Sequence, residues 1–285
     1  MKTRVISGVV GAVLGALVLS QYYTLIFDIA AFAIYAVAVF EIYRTFKEGN
    51  TKVAAVLLAV VGALILFDRY YAINLIAIAV VFVVAAVFIV VFDFENIKFT
   101  SIASSIVFSG YVLFCIYNLV RLKRIMPMES YGYDAVFLVL LCAGISWGGD
   151  IMAYFSGYLF GKHKMAPKLS PKKTIEGAVG GVLGSVGLAL LMTYVYSKLP
   201  ISANTVVADI GKNYISLIVF AAIGSFVGII GDLFASAVKR QQGIKDYGNI
   251  MPGHGGVLDR FDSFLLVSVI ISLMADFIVL SNGVI

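Results

Sequence analysis

Residues 231–263 gather groups that the rest of this hydrophobic chain avoids. Asp232, Ser236, Lys239, Arg240, Lys245, Asp246, His254, Asp259, Arg260 and Asp262 all fall within them. On a helix, Asp232, Ser236 and Lys239 share one face with Arg240 adjoining it, and Asp232 lies about 10 Å along the axis from Lys239. The chain then leaves the helix through Gly243, breaks at Pro252–Gly253 and resumes at His254–Gly255–Gly256. Asp259 and Asp262 are spaced i, i+3, so both carboxylates point the same way from the first two turns of the next helix, with Arg260 offset toward another anionic group. Carboxylates converging from separate segments suit an oxygen-preferring Mg²⁺. One or two such ions would clamp phosphate oxygens in an in-line displacement, while lysines and arginines hold the rest of a polyphosphate. Gly255 and Gly256 would let the backbone approach a phosphate without interference from a Cβ. His254 reads as a scaffold or phosphate contact rather than a general base.

Two upstream stretches carry related groups. In WGGDIMAYFSGYLFGKHK, Asp150, Tyr154, Gly157, Tyr158 and Gly161 fall on one helical face, and Lys162 lies about 18 Å along a straight helix from Asp150. That places Asp150 deep in an apolar span unless Gly148–Gly149 breaks the helix. An intramembrane carboxylate is a functional candidate, and the competing reading is an Asp hydrogen-bonded to a neighbouring helix. In KLSPKKTIEG, Ser170–Pro171 reads as an N-cap followed by proline at the first helical position, with a second start open at Thr174 and Glu176. Lys172 and Lys173 would then flank free amides suited to a phosphate, or the segment is a basic loop resting on anionic headgroups. In the GAVGGVLGSVG that follows, Gly177, Gly181, Gly180 and Gly184 are spaced for close helix packing.

Other chemistries fit poorly. Two histidines and two cysteines provide no zinc-ligand spacing, and the sequence holds neither a G-x-S-x-G elbow nor a Walker A loop. Metal-assisted phosphoryl or nucleotidyl transfer is the chemistry these residue types permit.

The elements that must position these groups are membrane helices. The 285 residues are 61% hydrophobic and 13% charged, with a mean hydropathy of +1.01, about half the charge of a soluble globular protein. Apolar runs recur at roughly 4–22, 24–43, 52–67, 71–92, 99–120, 133–161, 174–196, 213–238 and 254–280. The expected fold is therefore an all-α, polytopic integral membrane protein of about nine transmembrane helices. The first run imitates a signal peptide but reads as an uncleaved span. Residues 1–132 carry no evident chemistry, and Asp28 and Glu41 near span ends read as solvated; residues 133–285 carry the candidate site.

Placing the N-terminus inside puts Lys2, Arg4, Arg44, Lys47, Lys52, Lys98, Lys162, Lys164, Lys168, Lys172, Lys173, Lys239, Arg240 and Lys245 on the cytoplasmic side. Arg69, Arg121, Lys123, Arg124, Lys198 and Lys212 fall opposite, so the expectation is N-in and C-out, with Arg121–Arg124 dissenting. The net charge of +5 suits loops facing anionic lipid and requires no nucleic acid. Cys115 and Cys142 lie in apolar runs and read as small core residues.

The stretch SAVKRQQGIKDYGNIMPGHGGVLDRFD, Ser236–Asp262, resembles the signature of phosphatidate cytidylyltransferases, also called CDP-diacylglycerol synthases. Ser236, Lys239, Arg240, Lys245, Asp246, Gly248, Pro252, Gly253, His254, Gly255, Gly256, Asp259, Arg260 and Asp262 carry the resemblance. DIMAYFSGYLFGKHK resembles the same family through Asp150, Tyr154, Gly157, Gly161, Lys162, His163 and Lys164, and SPKKTIEG through Ser170, Pro171, Lys172, Lys173, Thr174, Glu176 and Gly177. Met251 and Ile175 depart mildly, standing where members often have another large apolar residue and Trp respectively. The resemblance covers the second half of the chain well; the first half matches only as hydrophobic spans.

It implies that CTP and phosphatidic acid give CDP-diacylglycerol and pyrophosphate, with Mg²⁺ required. The expected cofactor is one or two divalent ions, with room for a second site of another cation type. The expected assignment gives Asp246 and Asp259 to metal, with Asp150, Asp232 and Asp262 as further or supporting ligands. Lys239, Lys245 and Arg260 join Asp246 and Asp259 in the catalytic group. Lys162, Ser170, Lys172, Lys173, Ser236, Arg240, His254, Gly255 and Gly256 contact substrate or phosphate. A cytoplasmic membrane location with the site facing the cytoplasm follows, as does a homodimer whose interface the sequence does not mark. A CTP-dependent lipid kinase of the polyprenol type is the alternative, distinguished by releasing CDP; an ion transporter built on Asp150 and Asp232 is a distant one.

Overall fold

Among the described residues, each of the nine apolar runs overlaps helical structure. The structure, a computed structural model, describes residues 2–46, 52–67, 75–93, 95–200, 214–251, 253 and 255–281. His254 and Pro252 of the signature, and Lys47, Arg69 and Lys212 of the charge pattern, lie outside the described residues. Among the described residues, six helices are long and apolar enough to cross a membrane: Leu25–Thr45, Phe99–Ile125, Asp134–Phe160, Ile175–Ser197, Tyr214–Gln241 and Leu258–Ser281. The apolar helices Ile6–Ser20, Lys52–Leu66 and Ala77–Phe92 are shorter. The chain is thus an all-α polytopic membrane protein, apart from one small hairpin described below.

Two compact units share the chain: Met1–Val120 with Gln241–Arg260, and Arg121–Arg240 with Phe261–Ile285. In the first, α1 (Lys2–Ser20), α2 (Leu25–Thr45), α3 (Lys52–Leu66) and α4 (Leu75–Phe92) lead into α5 (Phe99–Ile125). Thr24 caps α2, its hydroxyl accepting from Ile26 N at 3.2 Å. α2 meets α3 where Gly62 leaves room for the Tyr35 ring, whose hydroxyl donates to Leu58 O at 3.2 Å. The Tyr22 hydroxyl donates to Leu119 O at 2.7 Å, tying the α1–α2 turn to α5. α4 displays Val80, Val81, Val83, Val84 and Val87 outward, an all-round apolar surface that fits lipid rather than water. Asp28 and Glu41, expected to be solvated at span ends, are instead buried, at 0% and 1% exposure.

In the second unit, α6 (Met128–Tyr131) precedes α7 (Asp134–Ala143), a π-helical turn (Gly144–Gly148) and α8 (Gly149–Phe160). Gly148–Gly149 therefore does not break the helix: it closes a π-turn in one continuous rod. Small residues let α8 lie against α9 (Ile175–Ser197). Gly181 faces Ala153, Gly180 faces Ser156, Gly184 faces Met152, and Gly157 meets the backbone of Gly177. The packing expected of Gly177, Gly180, Gly181 and Gly184 is what the structure shows. Gly157 accordingly points at α9, whereas Tyr154 and Tyr158 are 69% and 79% exposed, so the five residues placed on one face divide between two.

Residues between α8 and α9 form an antiparallel hairpin, β1 (Lys164–Ala166) and β2 (Ser170–Thr174), pairing Lys164 with Thr174 and Ala166 with Ser170. Ser170 is thus a strand residue and not a helix cap. The second possible start is the one used: Thr174 is the N-cap of α9, its Oγ1 accepting from Gly177 N at 3.1 Å. Two further helices complete the described chain, α10 (Tyr214–Gln241) and α11 (Leu258–Ser281). Arg121 forks onto Asp276 of α11 at 2.7 and 2.9 Å and donates to Ser272 at 3.0 Å, while Lys123 is buried. Cys115 and Cys142 are buried and not disulfide-bonded, as expected.

Candidate functional site

In the unit that includes residues 241–260, the polar loop begins where Gly243 adopts φ +66° and turns the chain out of α10. Gly253 and Gly255, at φ +76° and +87°, make the return, and Met251 N donates to Gly255 O at 3.0 Å across it. Residues other than glycine rarely adopt such angles. A single oxygen of Asp259, Oδ2, accepts from Tyr247 N at 2.8 Å and Gly256 N at 3.0 Å. The Tyr247 ring is buried against Phe108, with centroids 5.7 Å apart. The loop so held borders an open cavity of 660 Å³ lined by Lys245, Asp246, Asn249, Met251, Gly253, Gly255 and Arg260. Lys245, Asp246 and Arg260 are exposed, giving the cavity two cations and one carboxylate.

Gly256 does not line this cavity. A Cβ there would stand 2.5 Å from Glu41 Oε1, and one on Gly248 would stand 2.6 Å from the same atom. The room left by these two glycines is filled by a carboxylate of α2. Gly255 does reach the cavity, and its own missing side chain would meet Asp259 Oδ2 at 3.1 Å.

In the other unit, three carboxylates come from three helices. Asp150 of α8 accepts from Ser263 Oγ of α11 at 3.2 Å. Asp232 of α10 is paired with the amino group of Lys173 and accepts from Ser236 Oγ at 3.3 Å. Asp262 of α11 accepts from Ser263 N at 2.8 Å through Oδ1. Glycines bring α10 and α11 together here: a Cβ on Gly231 would meet Asp262 O at 2.7 Å, and one on Gly228 would meet Val267 at 2.9 Å. Asp150, Asp232 and Asp262 interact electrostatically with one another, with Lys173 acting on Asp150 and Lys239 on Asp262. Among the described residues no three His, Cys, Asp or Glu side chains gather around one point as an all-protein metal cage. Carboxylate oxygens are nonetheless the donors that Mg²⁺ prefers.

The hairpin separates two lysines that the sequence treats alike. Successive strand residues face opposite sides, so half-buried Lys173 reaches Asp232 while Lys172 is exposed. The hairpin base is clamped by Glu176, which accepts from His163 N at 3.2 Å and lies 2.6 Å from His163 Nδ1. Lys162 and Arg240 are exposed and Ser170 is half-buried in β2. Two contributors, Glu41 and Ser263, escape a reading of the sequence. Glu41 did carry a signal, the same lone carboxylate in an apolar span that singled out Asp150.

Long apolar helices, six of them able to span a bilayer among the described residues, mark an integral membrane protein. Residues 2–278 match the cytidylyltransferase family, and the chain belongs to it. It is 31% identical over 278 residues to a phosphatidate cytidylyltransferase of Bacillus subtilis, covering 94% of each chain. It is likewise 31% identical over 270 residues to one of Thermotoga maritima, covering 94% of this chain and 93% of that one. A phosphatidate cytidylyltransferase of Haemophilus influenzae is 40% identical over 141 residues, 48% of this chain and 46% of that protein.

Proposed function

We propose that this protein makes CDP-diacylglycerol and pyrophosphate from CTP and phosphatidic acid. The observation that carries this reading is the end-to-end relationship to phosphatidate cytidylyltransferases, over 94% of this chain and of the Bacillus subtilis protein. The geometry supports it, since a 660 Å³ cavity with Lys245 and Arg260 on its wall suits the polyphosphate of a nucleotide. A phosphatidate oxygen attacks the α-phosphorus of CTP; the new P–O bond forms as the bond to the β-phosphate breaks, and pyrophosphate leaves with the electron pair. The attacking oxygen is already anionic, so positioning and charge stabilisation do most of the catalysis.

Lys245 and Arg260 hold phosphate oxygens at the cavity, and Asp246 shares its wall. Lys239, Arg240, Lys172, Lys162 and Ser236 are further contacts for phosphate or lipid headgroup, as are Ser170 and His254. Lys173 neutralises Asp232. Asp232 and Asp262, with Asp150 beside them, would hold Mg²⁺ together with substrate oxygens, and Asp246 and Asp259 are the other carboxylates available to a metal. Bound Mg²⁺ would supply charge neutralisation of the phosphates. Asp259 serves first as an anchor, because its Oδ2 is taken up by two loop amides.

The proposed topology is nine spans, N-in and C-out, with the site toward the cytoplasm and two chains forming a homodimer. The dissenting cations weigh little against it: Arg121 is engaged by Asp276, and Lys123 is buried. The test is an assay of purified protein with labelled CTP and phosphatidic acid. Expected is a lipid-linked CMP and pyrophosphate, lost on chelation and restored by Mg²⁺. Release of CDP with a phosphorylated lipid, or no lipid product, would sink the proposal.

A further inference from the structure

We infer that Glu41 of α2 is a positioning residue for the cavity loop, and that Gly248 and Gly256 lack side chains because its carboxylate occupies that space. This rests on the reading of the cavity as the CTP polyphosphate site. Glu41 is 1% exposed, and its two oxygens divide between consecutive amides: Oε1 accepts from Val257 N at 2.8 Å and Oε2 from Leu258 N at 2.9 Å. Those amides open α11, where N–H groups have no intrahelical acceptor and the helix dipole favours an anion.

Together with Asp259, Glu41 commits four backbone N–H groups, of Tyr247, Gly256, Val257 and Leu258, to two carboxylates. Neither carboxylate lies within the loop 245–257, so the loop is pinned from two helices at once, with Tyr247 on Phe108 as a third anchor. Lys245, Asp246, Asn249, Gly253 and Gly255 hang from those pins, whereas Glu41 itself does not line the cavity. Its influence on substrate passes through the backbone. Replacing the carboxylate strands buried amides, and adding a methyl to Gly256 drives it against Glu41.

The full chain, purified in nanodiscs, is compared as wild type, Glu41→Gln, Glu41→Ala, Gly256→Ala and the Glu41→Ala/Gly256→Ala double variant. Steady-state kinetics and hydrogen–deuterium exchange are read on each. Glu41→Gln is expected to raise KM for CTP about tenfold or more while KM for phosphatidic acid stays within about twofold. Exchange should quicken across 245–258 and stay at the wild-type rate in α8 and α9. Gly256→Ala should behave alike, yet cost less than about twofold further in the Glu41→Ala background, because the collision is gone. Wild-type KM for CTP and wild-type exchange in Glu41→Gln would overturn the inference, as would full additivity of the two substitutions. If position 41 variants are not monodisperse, Gly256→Ala alone decides: undisturbed exchange over 245–258 rejects the role. If the wild type makes no lipid-linked CMP, the functional reading fails, and exchange alone judges Glu41.

Discussion

Individual side chains divide the labour between holding and reacting. Lys173 and Lys172 are neighbours in sequence, but only Lys173 is turned to Asp232. Lys173→Met is therefore expected to lower kcat/KM by about 10²-fold or more, and Lys172→Met by well under tenfold, as read in the labelled-CTP assay. Equal losses would erase the distinction between the two strand faces. Asp262→Asn and Asp232→Asn should each lower kcat by about 10²- to 10³-fold, with a higher Mg²⁺ concentration needed for half-maximal rate; an unchanged Mg²⁺ requirement would remove that carboxylate from the metal. At this scale the sequence made Asp150 and Asp232 stand out, since a carboxylate in an apolar span is conspicuous whatever the fold. Glu41 was the exception. Its nearness to a span end suggests solvent, and only the amides of Val257 and Leu258, 216 and 217 residues away, reveal why it is dry.

At the level of elements, glycines decide which helices approach closely enough to bring polar groups together. Gly231 sits where a Cβ would meet Asp262 O at 2.7 Å, a backbone atom that cannot step aside as a side chain would. Gly231→Ala should destabilise the α10–α11 contact by about 1–3 kcal/mol, visible as a lower Tm in detergent, whereas Gly187→Ala, with nothing near its missing Cβ, should leave Tm unchanged or slightly raised. A Tm unchanged by Gly231→Ala would mean that the helices separate without penalty. The helices themselves were legible from apolar length, and the spacing of Gly177, Gly180, Gly181 and Gly184 announced their packing. The hairpin was not. Ser-Pro reads as a helix start, and the clamp of Glu176 on His163 that closes the strands is a contact between side chains and backbone 13 residues apart, which no local pattern encodes.

Across the molecule, many large apolar side chains of the described helices stand exposed, as a lipid environment requires. Under the proposed topology, Gln242→Cys in an inverted vesicle should react with a membrane-impermeant maleimide, while right-side-out vesicles should protect it. The reverse result would overturn the orientation. The probe is clean because Cys115 and Cys142 are both buried and should not label in the folded protein.

The hold of Glu41 on the start of α11 also sets a timetable for biogenesis. Val257 is translated 216 residues after Glu41, which at ordinary synthesis speeds is about 10–40 s. Throughout that interval α2 must carry an unspent carboxylate through membrane insertion, in water, on lipid headgroups or with an insertion factor. The loop can lock only when the last helix begins to emerge, so a nascent chain halted just before residue 257 has α1–α10 but neither α11 nor a pinned loop.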